Sequence, residues 1–306
     1  MTSNLEPYER YKEIIDDWDA FQAALKRPLP TCIWANPLKT TPEKLEGILW
    51  REKIEFEPLP WRVGAYRLRN VHRPGNRIPA ILGLYLIQEE VSMIPVEFLK
   101  LEPGLRVLDA CAAPGNKTAQ IASMMQNRGT VIANDRSFRR LRPLGRTLDR
   151  LGVVNTAVMT YDAAAFPEKI GTFDRVLTDV PCSCEGTARK VDTPKEATQS
   201  DFDALNATQK AILLKGLHLL RPGGRLVYST CTYAPEENES IVHQALGEAG
   251  EDFTLLPTEL EGFSGQPGLV EWQGARFDRR LKNALRVYPH HQNTGGFFVA
   301  TFARRS

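Results

Sequence analysis

Residues 105–118 read LRVLDACAAPGNKT. A short apolar run closes on Asp109, a turn of small residues follows at Ala112, Ala113 and Gly115, and the helix-type segment NKTAQIASMMQN begins immediately after. The same unit recurs downstream. GTVIANDR, TAVMTYDA, FDRVLTDVPC and GRLVYSTCT are apolar-rich runs closed by Asp, Cys, Pro or Ser/Thr, and SDFDALNATQKAILLKGLHLL between the last two has apolar positions recurring at three and four. This β-α-β alternation predicts a doubly wound, mostly parallel sheet covered on both faces. Sites in such sheets lie beyond the C-terminal ends of the strands. Asp109, Cys111, Asp135, Asp162, Asp179, Cys182 and Cys231 all close apolar runs, so five successive strand ends carry polar chemistry on one edge.

At the first of these ends, small side chains let a ligand approach the N–H groups of a helix N-terminus. Asp135 lies 20 residues past Gly115, at the end of the next strand, where an acid can take both hydroxyls of a ribose. These features alone fit NAD, S-adenosylmethionine or a merely tight connection. A G-x-G-x-x-G is absent, and Lys117-Thr118 echo a P-loop only at its end, because alanines stand where its first glycine should be.

The chain has 306 residues, 42% hydrophobic and 25% charged, which describes a soluble globular protein of one large domain with a small addition. The opening MTSNLEPYERYKEIIDDW lacks the basic-then-apolar order of a secretory signal, and no apolar run approaches the roughly 20 residues that span a bilayer. A cytoplasmic location with no membrane partner is the expectation. The five cysteines (Cys32, Cys111, Cys182, Cys184, Cys231) are odd in number and dispersed, so free thiols are expected rather than a disulfide framework.

The net charge of +2 hides three basic clusters. Arg62, Arg67, Arg69, Arg73 and Arg77 fall within sixteen residues without an acid; Arg136, Arg139, Arg140, Arg142, Arg146 and Arg150 form the second; Arg276, Arg279, Arg280, Lys282 and Arg286 form the third. Each is either a phosphate-attracting patch or an ordinary solvated face. Trp61 and Tyr66, interleaved with the first, are either base-stacking platforms or core. The second lies on a helix pattern whose apolar face (Leu141, Leu144, Leu148, Leu151) should pack on the sheet, with Pro143 and Gly145 expected to kink or break it.

Three parts are expected along the chain: a helical segment over 1–25, a small α+β unit over 26–80, and the main domain over 81–306. In the second, TCIWANPL and RVGAYRLR read as strands around the helix-like TPEKLEGILWRE; at the end, LKNALRVYPHHQNTGGFFVATFARR reads as two strands joined by a turn at Asn293 to Gly296. No further RNA-binding module is expected.

A cysteine nucleophile needs its thiolate, and hence an activating environment. Methylation of a pyrimidine at C5 uses a thiol, an acid and a methyl donor together. Thiolate addition at C6, with an acid holding N3, makes C5 nucleophilic, and a second thiol can assist when the first is eliminated. Cys182 and Cys231 suit these parts, while Cys32 and Cys111 read as small buried core residues. His290, His291 and the cysteines lack metal-ligand spacing, so no metal is expected.

The motifs LDACAAPGNKT, ANDRSFRRLRPL, DVPCSCEGT and YSTCTYAPEENESIV, with GLYLIQEEVSMIP upstream and RVYPHHQNTGGFFVATF at the end, resemble the RNA cytosine-C5 methyltransferases of the Nol1/Nop2/Sun (RsmB/RsmF-like) group over residues 30 to 305. The resemblance implies a Rossmann-like class I methyltransferase domain with an RNA-recognition-like N-terminal appendage. It implies Cys231 as the nucleophile, Cys182 as the thiol that helps release product, and Asp179 at the cytosine ring. Ala112, Ala113, Pro114, Gly115, Asn116, Lys117, Asp135, Arg140, Asp162 and Asp179 would hold S-adenosylmethionine. Two residues depart from the group's pattern: Asn116 replaces a second glycine, its tolerance of unusual backbone angles keeping the turn, and Cys184 replaces the glycine after Pro-Cys-Ser, offering a competing thiol. The expected substrate is RNA, ribosomal rather than transfer RNA, taken up by a monomer. Two other readings are a catalytically idle RNA-binding scaffold, against which both thiols and the strand-end acids argue, and an exocyclic-amine methyltransferase, whose Asn/Asp-Pro-Pro-aromatic loop DVPC is not.

Overall fold

The computed structural model describes residues 6–190 and 199–306. A 3-10 turn (Glu6–Tyr11) and helix α1 (Trp18–Leu25) come first. They pack Tyr8, Tyr11 and Phe21 against Tyr233, Trp272 and Tyr288 of the main domain.

A four-stranded antiparallel sheet follows, built from β1 (Thr31–Ala35), β2 (Glu55–Pro58), β3 (Ala65–Arg69) and β4 (Tyr85–Ile87) in the order β2-β3-β1-β4. Helix α2 (Pro42–Arg51) connects β1 to β2, with Thr41 as N-cap and Pro42 in its first turn, and the single turn α3 (Ile78–Ile81) precedes β4. The β-α-β-β-α-β chain order is that of a split βαβ unit. Its fourth strand lies beyond residue 80, so the unit runs further than the sequence boundary, because the one-turn α3 and three-residue β4 are too short to show a period.

Both faces of this sheet are covered. Ile33, Tyr66, Leu68 and Tyr85 pack under Leu45 and Leu49 of α2. Cys32, Trp34, Ala65 and Leu86 point the other way, into the main domain's core beside Val91 and Ile94 of α4 (Glu90–Phe98). Trp61 and Tyr66 are therefore core residues and no base platform: Trp61 donates to Glu90 at 2.9 Å and Tyr66 to Glu46 at 2.8 Å. Arg67 lays two N–H groups on the same buried Glu90, at 2.7 and 2.9 Å, and Arg62 pairs with Glu97, so two arginines of the first basic cluster hold the units together.

The main sheet starts with β5 (Arg106–Asp109), continues through α5 (Asn116–Met124) to β6 (Thr130–Asn134), and through α6 (Phe138–Leu151) to β7 (Thr156–Met159). The chain then crosses to β8 (Phe173–Asp179), passes through α7 (Gln199–His218) into β9 (Leu220–Thr230), and runs on through α8 (Glu239–Ala249). These five strands are parallel, in the order β9-β8-β5-β6-β7. Alternation along each strand feeds two cores: Val107, Val131, Leu177 and Val227 meet α4, α5 and α6, while Leu108, Ile132, Val176 and Leu226 meet α7 and α8. Helix α6 runs unbroken through Pro143, because that residue lies on the water-exposed face, where solvent can take the freed carbonyl.

The sheet is extended antiparallel by β10 (Phe253–Leu256), β11 (Gln266–Pro267), β14 (Leu285–Val287) and β15 (Phe297–Arg304), while β12 (Glu271–Trp272) and β13 (Ala275–Arg276) form a separate ribbon. Between β14 and β15 the helical turn α9 (Pro289–Gln292) lengthens the connection expected at 293–296. Among the described residues, no helix is long and apolar enough to cross a membrane.

Glu239, first residue of α8, is buried with Arg286 of β14 in a two-pronged ion pair of 2.6 and 2.6 Å, and Arg286 also donates to Tyr233 O and Tyr288 Oη. A cation of the third basic cluster is thus a core element. Removing one partner leaves a buried charge uncompensated. Glu239→Ala is expected to lose about 3–5 kcal/mol in urea unfolding, with the Glu239→Gln, Arg286→Met double variant losing less than Glu239→Ala alone.

Candidate active site

The chain reverses winding between β5 and β8, and at that switch point a crevice opens beyond the strand ends. Asp109 ends β5, Asp179 ends β8, and Ser229 pairs in register with Asp179 from β9, two residues before Cys231. Asp179 accepts Ser229 Oγ on one oxygen and Lys117 Nζ on the other, both at 2.7 Å.

The loops after β8 and β9 bring two cysteines together, with 3.4 Å between the sulfurs of Cys182 and Cys231. Buried polar side chains hold the loops there. Glu237 accepts Ser183 N at 3.0 Å and Gln209 Nε2 at 2.7 Å, and that same amide also donates to Pro181 O. Asn238 accepts Thr230 Oγ1 and donates to Thr232 O, bracketing Cys231. Glu185 takes Tyr11 Oη and Thr232 Oγ1, which ties the N-terminal turn to both loops. Gly186 N donates to Cys231 O, and Gly186 lies so close to Gly296 that a Cβ would sit 2.4 Å from Gly296 O.

Cys184 adds a third sulfur, 3.9 Å from Cys182 and within 4.8 Å of Cys231. Its φ of +62° is a left-handed conformation that suits glycine better than a side chain. Its contacts with the Cys182 and Cys231 sulfurs, and then the nearby Lys190, hold its pKa well below that of an ordinary thiol. Cys182 is pushed up by its hydrogen bonds to Cys184 and Cys231 and by burial. For Cys231 the Cys182 contact pulls down, but the Cys184 contact and burial outweigh it, and its pKa rises.

Three adjoining cavities share Cys111 in their walls. The first, about 240 Å³, is bounded by Asp109, Ala112, Ala113, Pro114, Asn116, Lys117 and Asp179. The second, about 200 Å³, is bounded by Lys117, Asp179, Cys182, Cys184, Cys231 and Phe297. The third is a narrow cleft at Asp135, Arg140 and Asp162. Asp135 accepts Ala113 N and Ser137 N, Arg140 donates to Ala113 O, and Asp162 caps the turn at Ala164.

Three sequence expectations change. Gly115 lines none of these cavities: its φ of +105° starts α5, and a Cβ there would press on Leu144 of α6 at 3.1 Å, so its smallness serves helix packing. Asn116 needs no unusual angle, because the left-handed step falls one residue earlier. Cys111 is half-buried, packed against the core on one side and a cavity wall on the other.

A family model described as 16S rRNA methyltransferase RsmB/F matches residues 96–303, more than half of the chain. The chain belongs to this family. A mouse 28S rRNA (cytosine-C(5))-methyltransferase is 37% identical over 295 residues, covering 94% of this chain and 36% of the mouse protein, so this chain spans about a third of that relative. A tRNA (cytosine(49)-C(5))-methyltransferase of Pyrococcus abyssi is 37% identical over 302 residues, covering 97% of this chain and 95% of the archaeal one. Among solved structures, a methyltransferase homologue protein from Pyrococcus horikoshii superposes with a TM-score of 0.83 at 36% identity, covering 93% of this chain and 90% of the other. For this RsmB/F family member, the doubly wound sheet expected from the β-α-β alternation and the class I methyltransferase fold implied by the resemblance are the fold found.

Sequence reading named the thiols but not what holds them. Glu237, Asn238 and Glu239 stand in the quoted motif YAPEENES, and three consecutive buried polar residues leave no periodic trace. In the sequence Asp109 reads only as a strand end. It is 1% exposed, takes Thr118 Oγ1 on one oxygen at 2.7 Å, has no partner among the described residues for its buried Oδ1, and belongs to the wall of the first cavity.

Burial pushes the Asp109 carboxyl up to about 7, Asp179 and Asp135 add to the rise, and Thr118 and Lys117 oppose it. Its folded-state pKa thus lies above the unfolded value of about 3.9. The contribution to stability is intact below pH 4 and is lost as pH rises through about 7. Asp109→Asn should therefore match the unsubstituted protein near pH 4 and exceed it by about 1–4 kcal/mol at pH 8 in urea unfolding.

Proposed function

We propose that the chain is an S-adenosylmethionine-dependent RNA (cytosine-C5)-methyltransferase working through a covalent bond from Cys231 to C6 of cytosine. The observation that carries this reading is the pair of sulfurs 3.4 Å apart in a cavity whose wall includes Asp179.

The residues fit the cofactor. Asp109, a wall residue of the 240 Å³ cavity with one carboxyl oxygen lacking a partner among the described residues, suits an ammonium group. Asp135, whose oxygens each keep lone pairs beyond their loop contacts, suits ribose hydroxyls, and Asp162 lines the neighbouring cleft. Bound S-adenosylmethionine supplies an electrophilic methyl group.

In the second cavity, Cys231 Sγ adds to C6 while Asp179 holds the N3 edge, which places the electron pair at C5. Lys117, paired with Asp179 and raised in pKa chiefly by that acid against burial, stays cationic and favours a thiolate on Cys231. Once C5 carries the methyl group, its proton passes to solvent, the electron pair left behind re-forms the C5–C6 double bond, and the C6–S bond breaks to return the Cys231 thiolate, with Cys182 assisting. A cytosine reaches this cavity only from an unpaired loop or by leaving its stack. Arg139, Arg142 and Arg146, exposed on one side of α6, supply phosphate contacts.

Ribosomal RNA is the substrate that the family description favours. The near full-length correspondence with the archaeal transfer-RNA enzyme favours transfer RNA as a second reading. Bisulfite sequencing of both RNA pools after incubation with the purified chain and S-adenosylmethionine separates them. Cys182→Ala is expected to accumulate an RNA–protein adduct that survives denaturing electrophoresis, and Cys231→Ala to form none. An adduct in Cys231→Ala would reverse the assignment of the two thiols.

A further inference from the structure

The sulfurs of Cys182, Cys184 and Cys231 form a triangle with sides of 3.4 Å, 3.9 Å and no more than 4.8 Å. Zinc–thiolate bonds of about 2.3 Å place the sulfurs of a tetrahedral site roughly 3.8 Å apart. The triangle is thus near the size such an ion requires, and small shifts of one loop would close it. Two thiols serve the methylation chemistry; the third has no part in it.

We propose that these three cysteines form a binding site for a single thiophilic divalent cation, zinc being the ion to test, with the fourth coordination position open to water. Sulfur donors select soft or borderline ions over magnesium or calcium. Cys184 already stands as a thiolate, so binding exchanges the S–H protons of Cys182 and Cys231 for metal–sulfur bonds, and these two protons pass to solvent with no redox change. Three thiolates and a divalent cation leave one negative charge, beside the ammonium groups of Lys117 and Lys190, which also pair with Asp179 and Glu89. The exposed Cys184 provides the entry route, and its carbonyl is fixed by Thr187 N and Oγ1 at 2.9 and 2.8 Å. With a glycine at 184 only two sulfurs would remain.

The consequence for activity rests on the reading of Cys231 as nucleophile: a bound ion occupies its lone pair and blocks addition to C6. Occupancy itself does not depend on that reading.

The test titrates cobalt(II), then zinc(II), into the full-length reduced chain, with a phosphine rather than a thiol as reductant. One equivalent of cobalt is expected to give a near-ultraviolet thiolate-to-metal charge-transfer band, and zinc to displace it. Cys184→Gly, which the left-handed backbone tolerates, should lose the band and weaken zinc binding at least about 100-fold, since loss of a mere outer-shell partner already costs 10–100-fold. Cys184→Ser, closer in shape, should do the same. The band also separates this site from Asp16, His290 and His291, whose ring nitrogens and carboxylate converge at 2.8 and 3.1 Å but carry no sulfur. A chain with no charge-transfer band, or a Cys184→Gly chain that keeps it, overturns the site. A band accompanied by methylation that zinc leaves unaffected keeps the site and instead overturns Cys231 as nucleophile.

Discussion

Glu237, Asn238 and Glu239 form a buried polar clamp on which the reactive end of the sheet depends. Glu237 grips the loop after β8, Asn238 the loop after β9, and Glu239 the arginine of β14. Each is fully buried, so each had to find its partners inside the protein or cost more than the fold could tolerate. The clamp converts a flexible pair of loops into a fixed one. Two sulfurs on separate loops can be held at van der Waals distance only if neither loop is free to relax away.

The parallel sheet supplies the other half of the geometry. Because β5, β8 and β9 are adjacent and in register, a residue at the end of each falls on one edge, and Asp109, Asp179 and Cys231 meet there without any long-range design in the loops. Short β-α turns then decide the details. Gly115 keeps α5 tight against α6, which in turn fixes Lys117 over Asp179.

This logic explains what was legible beforehand. Strand ends were readable because a parallel strand buried on both faces is an uninterrupted apolar run, and whatever polar residue stops it is conspicuous. The thiols stood out for the same reason. Glu237, Glu239 and Arg286 did not, because a charge buried with a distant partner has the same one-letter appearance as a charge in water. Trp61 and Tyr66 were ambiguous for a related reason: an aromatic beside an arginine suits a base-stacking surface and equally an interface between two units, and only tertiary packing separates these. The short α3 and β4 lie below the length at which periodicity is visible, which is why a boundary read at 80/81 falls too early.

The small sheet has no face left over. With α2 on one side and the main domain on the other, and with Glu90 and Glu97 each locking one of its cations, it behaves as a fixed buttress instead of a swinging arm. A polynucleotide that reaches the thiols must therefore meet a rigid template whose anchoring points and reactive groups stand at constant separation. For the RNA substrate proposed above, conformational adaptation falls to the nucleic acid, and selection among candidate cytosines becomes a matter of which ones can bend and unstack to match that template.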